Sequence, residues 1–463
     1  MNRVRLFFFP MIEYNPAGIG RVRMHPALVV SLSFAVLILF GTAALLLPMA
    51  RNGTEIGWLD ALFSATSASC VTGLIVVDTG TAWSSFGQTV ILLLIQIGGL
   101  GIMTFSTFFA YLFAGKLSIR NRDLLESSFG DRLLAHPRRL LLAIIALTLV
   151  FESIGALVLT QRFAVQWPLG KAVYLGLFHA VSAFCNAGFC LFSNSLVQYQ
   201  TDPVINITIM VLIVAGGLGF WVWYDLRFLI RGRRTSLHSR IVLTTTAALL
   251  VFGMFCLLVF EWGHSMRHLS PGGKLMASVF QSVTSRTAGF NTLEMASLAN
   301  NSLLIILILM LIGASPGSCG GGIKTTTFAV IVAMIYSRFR DQRQVQLLNR
   351  GIPEAVLSRA IAITFMFLGM LILACLVLLV SEHPGGVHTL GRTLFLEVVF
   401  EAFSAMGTVG LSMGLTPELS DMGRMVIILL MYIGRVGPLT LALAVAGRRR
   451  FRVRLAEEDF WVG

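Results

Sequence analysis

Residues 70–74 read Cys70-Val71-Thr72-Gly73-Leu74, and a stretch of the same kind recurs three times. The others are Cys185-Asn186-Ala187-Gly188-Phe189, Arg286-Thr287-Ala288-Gly289-Phe290 and Gly407-Thr408-Val409-Gly410-Leu411. Each has a small or polar residue, a small or β-branched one, a glycine, then a large apolar residue. The glycines lie 115, 101 and 121 residues apart. Such spacing reads as an internal repeat.

The flanks repeat as well. Short apolar segments stand before the four loops: Leu59–Phe63, Tyr174–Phe178, Met276–Phe280 and Glu397–Phe400. From the last Phe of each to the glycine is 10, 10, 9 and 10 residues. At about 1.5 Å rise per residue these segments are too short to cross a bilayer, so they read as half-helices. Long apolar runs surround them: 27–49, 86–115, 139–160, 204–230, 241–262, 302–313 continuing after a break to 337, 357–380 and 425–446. A span takes about 20 apolar residues. The chain of 463 residues is 56% hydrophobic and 12% charged, against about 45–50% and about 25% in soluble domains.

The expected fold is therefore an all-α integral membrane protein of eight full spans. Four tandem units of span, half-helix, loop and span would surround one pseudo-fourfold pore. The units are 26–115, 116–230, 231–337 and 338–447, between an N-terminal segment 1–25 and a tail 448–463. Exposed backbone at membrane depth is tolerated only where it is buried in protein or lines a water-filled cavity. Glycine permits φ > 0, and rings of backbone carbonyls can replace an ion's hydration shell. The competing reading of any one glycine is a helix cap or a close-packing site. Four matched loops in matched contexts favour the pore.

Net charge is +13. Of 35 Lys and Arg, 25 fall in five segments: 1–25, 115–140, 227–240, 338–359 and 448–454. Basic loops mark the cytoplasmic side, so both termini are expected inside a cell (plasma) membrane and no nucleic-acid role is called for. Residues 1–25 lack a cleavable-leader pattern, since Pro10 breaks the short apolar run. None of the six cysteines has zinc-type spacing, so neither a disulfide nor a metal cluster is expected.

Taken together, Ser69–Leu74, Asn186–Phe189, Ser285–Asn291, Gly407–Leu411 and Gly313–Thr327 resemble the KtrB/TrkH/HKT superfamily of cation transporters over roughly residues 25–447. The likeness is to the KtrB type, because one span precedes the first loop. It implies that Val71, Thr72, Gly73, Asn186, Ala187, Gly188, Thr287, Ala288, Gly289, Thr408, Val409 and Gly410 form the selectivity filter. The substrate would be potassium, with sodium as a coupling or activating ion and no covalent cofactor. Sodium-selective plant members carry serine for the first filter glycine, whereas all four positions here are glycine. The alternative is a sodium-selective or weakly selective transporter of the same fold. A membrane-embedded enzyme would need convergent acid, base or thiol groups, and only scattered ones are present. The resemblance also implies a homodimer in membrane lipid on a cytosolic RCK-type nucleotide-binding subunit. The chain itself has no nucleotide-binding loop, since the glycine spacing before Lys324 is wrong for one.

The resemblance makes 313–327 an intramembrane gating loop. Its Gly313, Ser315, Pro316, Gly317, Gly320, Gly321 and Gly322 suit a broken helix, though a packed kink would use the same residues. Lys324 is expected either to repel a cation or to reach the interface. Arg435 is expected under the filter, as a barrier or in an interhelical ion pair. Arg286 should brace its loop through carbonyls or an acid. Asp78 and Glu401 are the acids expected to pair with it or to gather cations at the mouth. No partner is evident for Glu152. His179 reads as a satisfied hydrogen-bonding residue.

Overall fold

The computed structural model describes residues 26–53, 55–114, 137–229, 235–342, 344–382 and 393–438. The N-terminal segment 1–25, most of the basic segment 115–140, residues 230–234 and the tail 448–463 lie outside the described residues.

The chain is built from helices. In order they are α1 Pro26–Leu45, α2 Trp58–Ser69, α3 Ser85–Ala114, α4 Pro137–Phe163, α5 Leu169–Phe184, α6 Pro203–Leu218 and α7 Phe220–Leu229. There follow α8 Leu237–Glu261, α9 Pro271–Thr284, α10 Asn300–Leu311, α11 Thr325–Phe339, α12 Glu354–Glu382, α13 Thr393–Gly407 and α14 Asp421–Val436. A two-stranded hairpin, β1 Gln346–Leu347 and β2 Arg350–Gly351, links α11 to α12.

Helix starts follow local chemistry. Asp202 caps α6 through the amides of Val204 and Ile205, with Pro203 in the first turn. Ser236, Ser270 and Ser420 cap α8, α9 and α14. A side-chain oxygen there satisfies an amide that has no partner within the helix, and proline is preorganised for the first turn.

Among the described residues four helices, α1, α4, α8 and α12, hold the stretches long and apolar enough to cross a membrane. Their outward faces are exposed hydrocarbon, as at Phe40, Val150, Phe255, Phe365 and Val380. The short helices α2, α5, α9 and α13 lie inside. Their Ser67, Ser182, Ser282, Thr284 and Ser404 are buried. Polar groups inside and apolar groups outside reverse the water-soluble arrangement.

Each short helix packs on the long helix before it. The helix after each loop then packs on the next short helix: α3 on α5, α6 on α9, α10 on α13, and α14 back on α2. The order is cyclic. An Arg424–Asp60 ion pair at 2.9 Å joins α14 to α2.

Among the described residues, counting the α6–α7 pair, which bends by 95° at Gly219, raises the candidate spans to five. The 302–337 run is likewise divided into α10 and α11. The bend in 204–230 departs from the sequence expectation of one continuous span.

Close packing at the turn of α6 requires glycine. A Cβ on Gly216 would collide with the carbonyl of Phe184 at the end of α5. Gly98 stands in the same relation to Ser69, and Gly434 to Met406. Gly101, by contrast, has only the Phe34 ring near, at 3.9 Å. Gly216→Ala is expected to destabilise the protein by about 1–3 kcal/mol, the usual cost of overpacking. Gly101→Ala should be neutral or better, since alanine favours helix. The thermal midpoints of the two variants in detergent check this; equal midpoints would show that the Phe184 contact relaxes freely.

Candidate functional site

The short helices α2, α5, α9 and α13 each end at one of the four repeated loops. Their backbones share one unusual pattern. The glycine and the residue two before it both have positive φ, while the residue between does not. The pairs are Val71 (54°) and Gly73 (97°), Asn186 (58°) and Gly188 (69°), Thr287 (71°) and Gly289 (79°), and Thr408 (49°) and Gly410 (91°). Alternating handedness turns successive peptide planes so that their carbonyls share a side. The non-glycine members cost about 1–3 kcal/mol each, so surrounding bonds must hold them.

Those bonds come from the short helices. The amides of Thr72, Ala187, Ala288 and Val409 donate to the carbonyls of Ser67, Ser182, Thr284 and Ser404 at 2.7–3.0 Å. The hydroxyls add to this. Ser67 and Ser404 accept from the amides of Gly73 and Gly410 at 3.1 and 3.0 Å. Ser182 and Thr284 donate to the carbonyls of Phe189 and Phe290. A buried hydroxyl six residues before the glycine, or five in the third loop, is thus part of every loop.

The four loops touch in chain order. A Cβ built on Gly73 would lie 2.5 Å from the Ala187 oxygen, and one on Gly188 would lie 2.9 Å from that of Ala288. A Cβ on Gly289 would be 2.6 Å from the Val409 oxygen. One on Gly410 would collide with the Thr72 oxygen, which closes the circle. One carbonyl oxygen therefore stands at each seam. The hydroxyls of Thr72, Thr287 and Thr408 are buried without a protein partner.

The segment between α10 and α11 folds back directly against these loops. A Cβ on Gly320 would strike the Thr287 hydroxyl, and one on Gly321 that of Thr408. The segment is ordered by its own backbone: Gly313 N donates to Ile323 O at 3.0 Å, and Ile323 N to Leu311 O at 3.1 Å. Ser318 donates to Ser315 O, and Thr325 to the Ser315 hydroxyl. It is also tied to the α6–α7 bend. Ser315 N donates to Gly217 O and Cys319 N to Gly216 O, while Phe220 N donates to Gly317 O. At Gly219 φ is 85°, and a Cβ there would lie 2.6 Å from Pro316 O. The bend in one span receives the break in another.

Three basic residues hold this segment, each through backbone carbonyls. Arg286 donates to Gly313 O at 3.0 Å. Lys324 donates to Gly320 O at 2.6 Å. Arg435, buried, donates to Cys319 O and, at 2.7 Å, to Gly98 O. Among the described residues none of the three stands in an ion pair. Arg286 therefore braces the broken-helix segment rather than an acid.

The expected acids are elsewhere. Asp78 accepts from the amide and hydroxyl of Thr81, both at 2.8 Å. Glu401 accepts from Ser412, Met413 N and Thr416, fixing the chain after the fourth loop. Neither pairs with Arg286. Glu152 finds a partner that its sequence context does not reveal: Gln96 of α3 donates to it at 3.3 Å, with the Cys185 thiol 3.9 Å away. His179 is bonded to Leu175 O and Cys190. No group of three or more His, Cys, Asp or Glu among the described residues could hold a metal ion. The six cysteines are free.

One set of residues goes unremarked in the sequence reading. Gly98-Gly99-Leu100-Gly101 and Gly216-Gly217-Leu218-Gly219 are the same tetrapeptide, and Gly434-Arg435-Val436-Gly437 varies it. The repeat was the available signal. It marks where the second helix of a unit meets the end of a short helix.

Residues 21–449 match the family model described as "TrkH: Cation transport protein". The Ktr system potassium uptake protein B of Bacillus subtilis is 38% identical over 96% of this chain and 98% of its own. The potassium/sodium uptake protein NtpJ of Enterococcus hirae is 37% identical over the same shares. The crystal structure of the potassium transporter TrkH from Vibrio parahaemolyticus shares the fold with a TM-score of 0.72, at 18% identity, over 90% of this chain and 84% of that one. With the family model spanning nearly the whole sequence and two relatives well above 30% identity, the chain belongs to the TrkH family of cation transport proteins, and it is not an enzyme.

Proposed function

We propose that this chain takes up potassium through the ring formed by its four loops. The observation that carries the reading is the carbonyl oxygen at each of the four seams, from Thr72, Ala187, Ala288 and Val409. A potassium ion that sheds its water there finds backbone dipoles in place of the hydration shell. No charged side chain is needed, and the loops themselves carry none apart from Arg286, which turns away to Gly313. The glycine at every seam and the relatives' potassium uptake support potassium as the substrate.

In this reading four pseudo-symmetric units place eight apolar segments in the plasma membrane, with both termini in the cytoplasm. The 313–327 segment is the gate. It lies against Thr287 and Thr408, so an ion leaving the ring meets Gly320 and Gly321 first. The positive charge of Arg435 and Lys324 opposes passage until the segment moves. The Ktr system name of the Bacillus relative supports a separate regulatory subunit. We assign it the nucleotide-binding role, docked on the basic cytoplasmic loops of a homodimer. One observation favours a second reading, weak selectivity between potassium and sodium: the Enterococcus relative is a potassium/sodium uptake protein. Sodium is otherwise an activating ion.

Flux into liposomes containing the purified protein, with potassium and sodium in competition, tests the choice. Potassium uptake little affected by equal sodium supports the first reading, and equal competition supports the second. Gly73→Ser puts a side chain at a φ of 97° and against Ala187 O. At about 1–3 kcal/mol of strain it should lower the preference for potassium about tenfold. Unchanged preference in a folded variant would overturn the carbonyl-ring assignment. Arg286→Met removes the bond to Gly313 O, a charged hydrogen bond of about 1.5–3 kcal/mol. It should raise flux through the closed state about tenfold or more. A native-like flux with normal stability would remove Arg286 from the gate.

A further inference from the structure

A groove opens on the outward side of the protein between α1 and α3. Ser33, Phe34, Val36, Leu37 and Phe40 form one wall, and Ile97 and Gly101 the other. Its volume is about 340 Å³, within the range of about 300–1,000 Å³ for small-molecule sites. The rim is exposed: Val36 64%, Phe40 72% and Ile97 53%. The floor is Phe34, 3% exposed. On its other side lies Arg435, with its guanidinium carbon 6.0 Å from the centroid of the Phe34 ring. Gly101 keeps the groove open, since a side chain there would point at Phe34.

The lining decides the occupant. Its one polar side chain, Ser33, already donates to Val30 O at 2.8 Å. Water would find no partner here. The groove lies along α1, a helix long and apolar enough to cross a membrane, so hydrocarbon is the medium around it. Lipid tails are as apolar as the groove, and no hydrophobic gain draws a chain in. An empty groove, however, forfeits its dispersion contacts on one side.

We propose that this groove binds the acyl chain of a phospholipid, which packs on Phe34 and holds that ring against Arg435. The inference goes beyond potassium transport and does not require it. Nothing else in the lining competes for the chain. The bound tail would be the outer support of a stack that runs from lipid through Phe34 to the guanidinium.

The test uses the full-length protein in nanodiscs of phosphatidylcholine that carries a diazirine partway along one acyl chain. Adducts formed on illumination are mapped by mass spectrometry. Labelling of the α1 and α3 walls should exceed that of the open face of α12 at Leu373 and Val380. Gly101→Phe, which fills the groove, should lose this excess, while adducts on α12 persist and report that the variant is folded in lipid. Gly101→Ala should retain the excess. If Gly101→Phe does not fold, Val36→Trp at the rim makes the same comparison. No excess in the native protein, or an excess unchanged by filling, would overturn the proposal. So would a second copy seated in the groove, detected as protection from labelling together with crosslinking between copies through Val36→Cys.

Discussion

Everything in this molecule answers to one constraint: four stretches of backbone must come within van der Waals contact of one another. At Gly73, Gly188, Gly289 and Gly410 a Cβ would run into the next loop. That contact fixes the rest. The loops must be presented on short buried helices, because a full span would carry them past the meeting point. The strained residues before each glycine need hydroxyls and carbonyls from the helix just left, which is why Ser67, Ser182, Thr284 and Ser404 are buried among apolar neighbours. The following helix must approach the short-helix end closely enough to seal it, which leaves no room for a side chain at Gly98, Gly216 or Gly434.

On this near-symmetric frame the second half of the chain adds asymmetry. The break between α10 and α11 inserts a segment under the ring, and α6 bends at Gly219 to receive it. The two irregularities satisfy one another's backbone groups, as irregular structure at membrane depth must. The segment is held by cations that bond carbonyls rather than carboxylates. A buried pair of opposite charges is hard to part because each is left uncompensated. A guanidinium on a carbonyl leaves a neutral dipole rather than a second charge behind, which suits the movement proposed for this segment.

Much of this was legible in the sequence. The repeated loops, their spacing from the short apolar segments and the broken run at 313–327 could all be read from residue type and distance along the chain. The bend at Gly219 could not be read in the same way. Glycine is common in membrane helices, and a run containing Gly216, Gly217 and Gly219 looks continuous, as the same tetrapeptide at 98–101 is within the unbroken α3. The partners of Arg286 and Glu152 were also out of reach. For Arg286 the sequence left carbonyls and acids both open; the partner is the carbonyl of Gly313, a backbone group that carries no letter of its own. Glu152 and Gln96 come from different units, and only the packing of α3 against α4 brings them together.

The contact between Gly410 and Thr72 has a further consequence for biogenesis. It joins the last loop to the first, with most of the chain emerging from the ribosome between them. Until the fourth loop arrives, the first loop has its second-loop neighbour at Gly73 but none at Thr72. The ring is therefore complete only when synthesis is nearly finished. A nascent chain halted after three units would lack α12, α13 and α14 and enclose nothing.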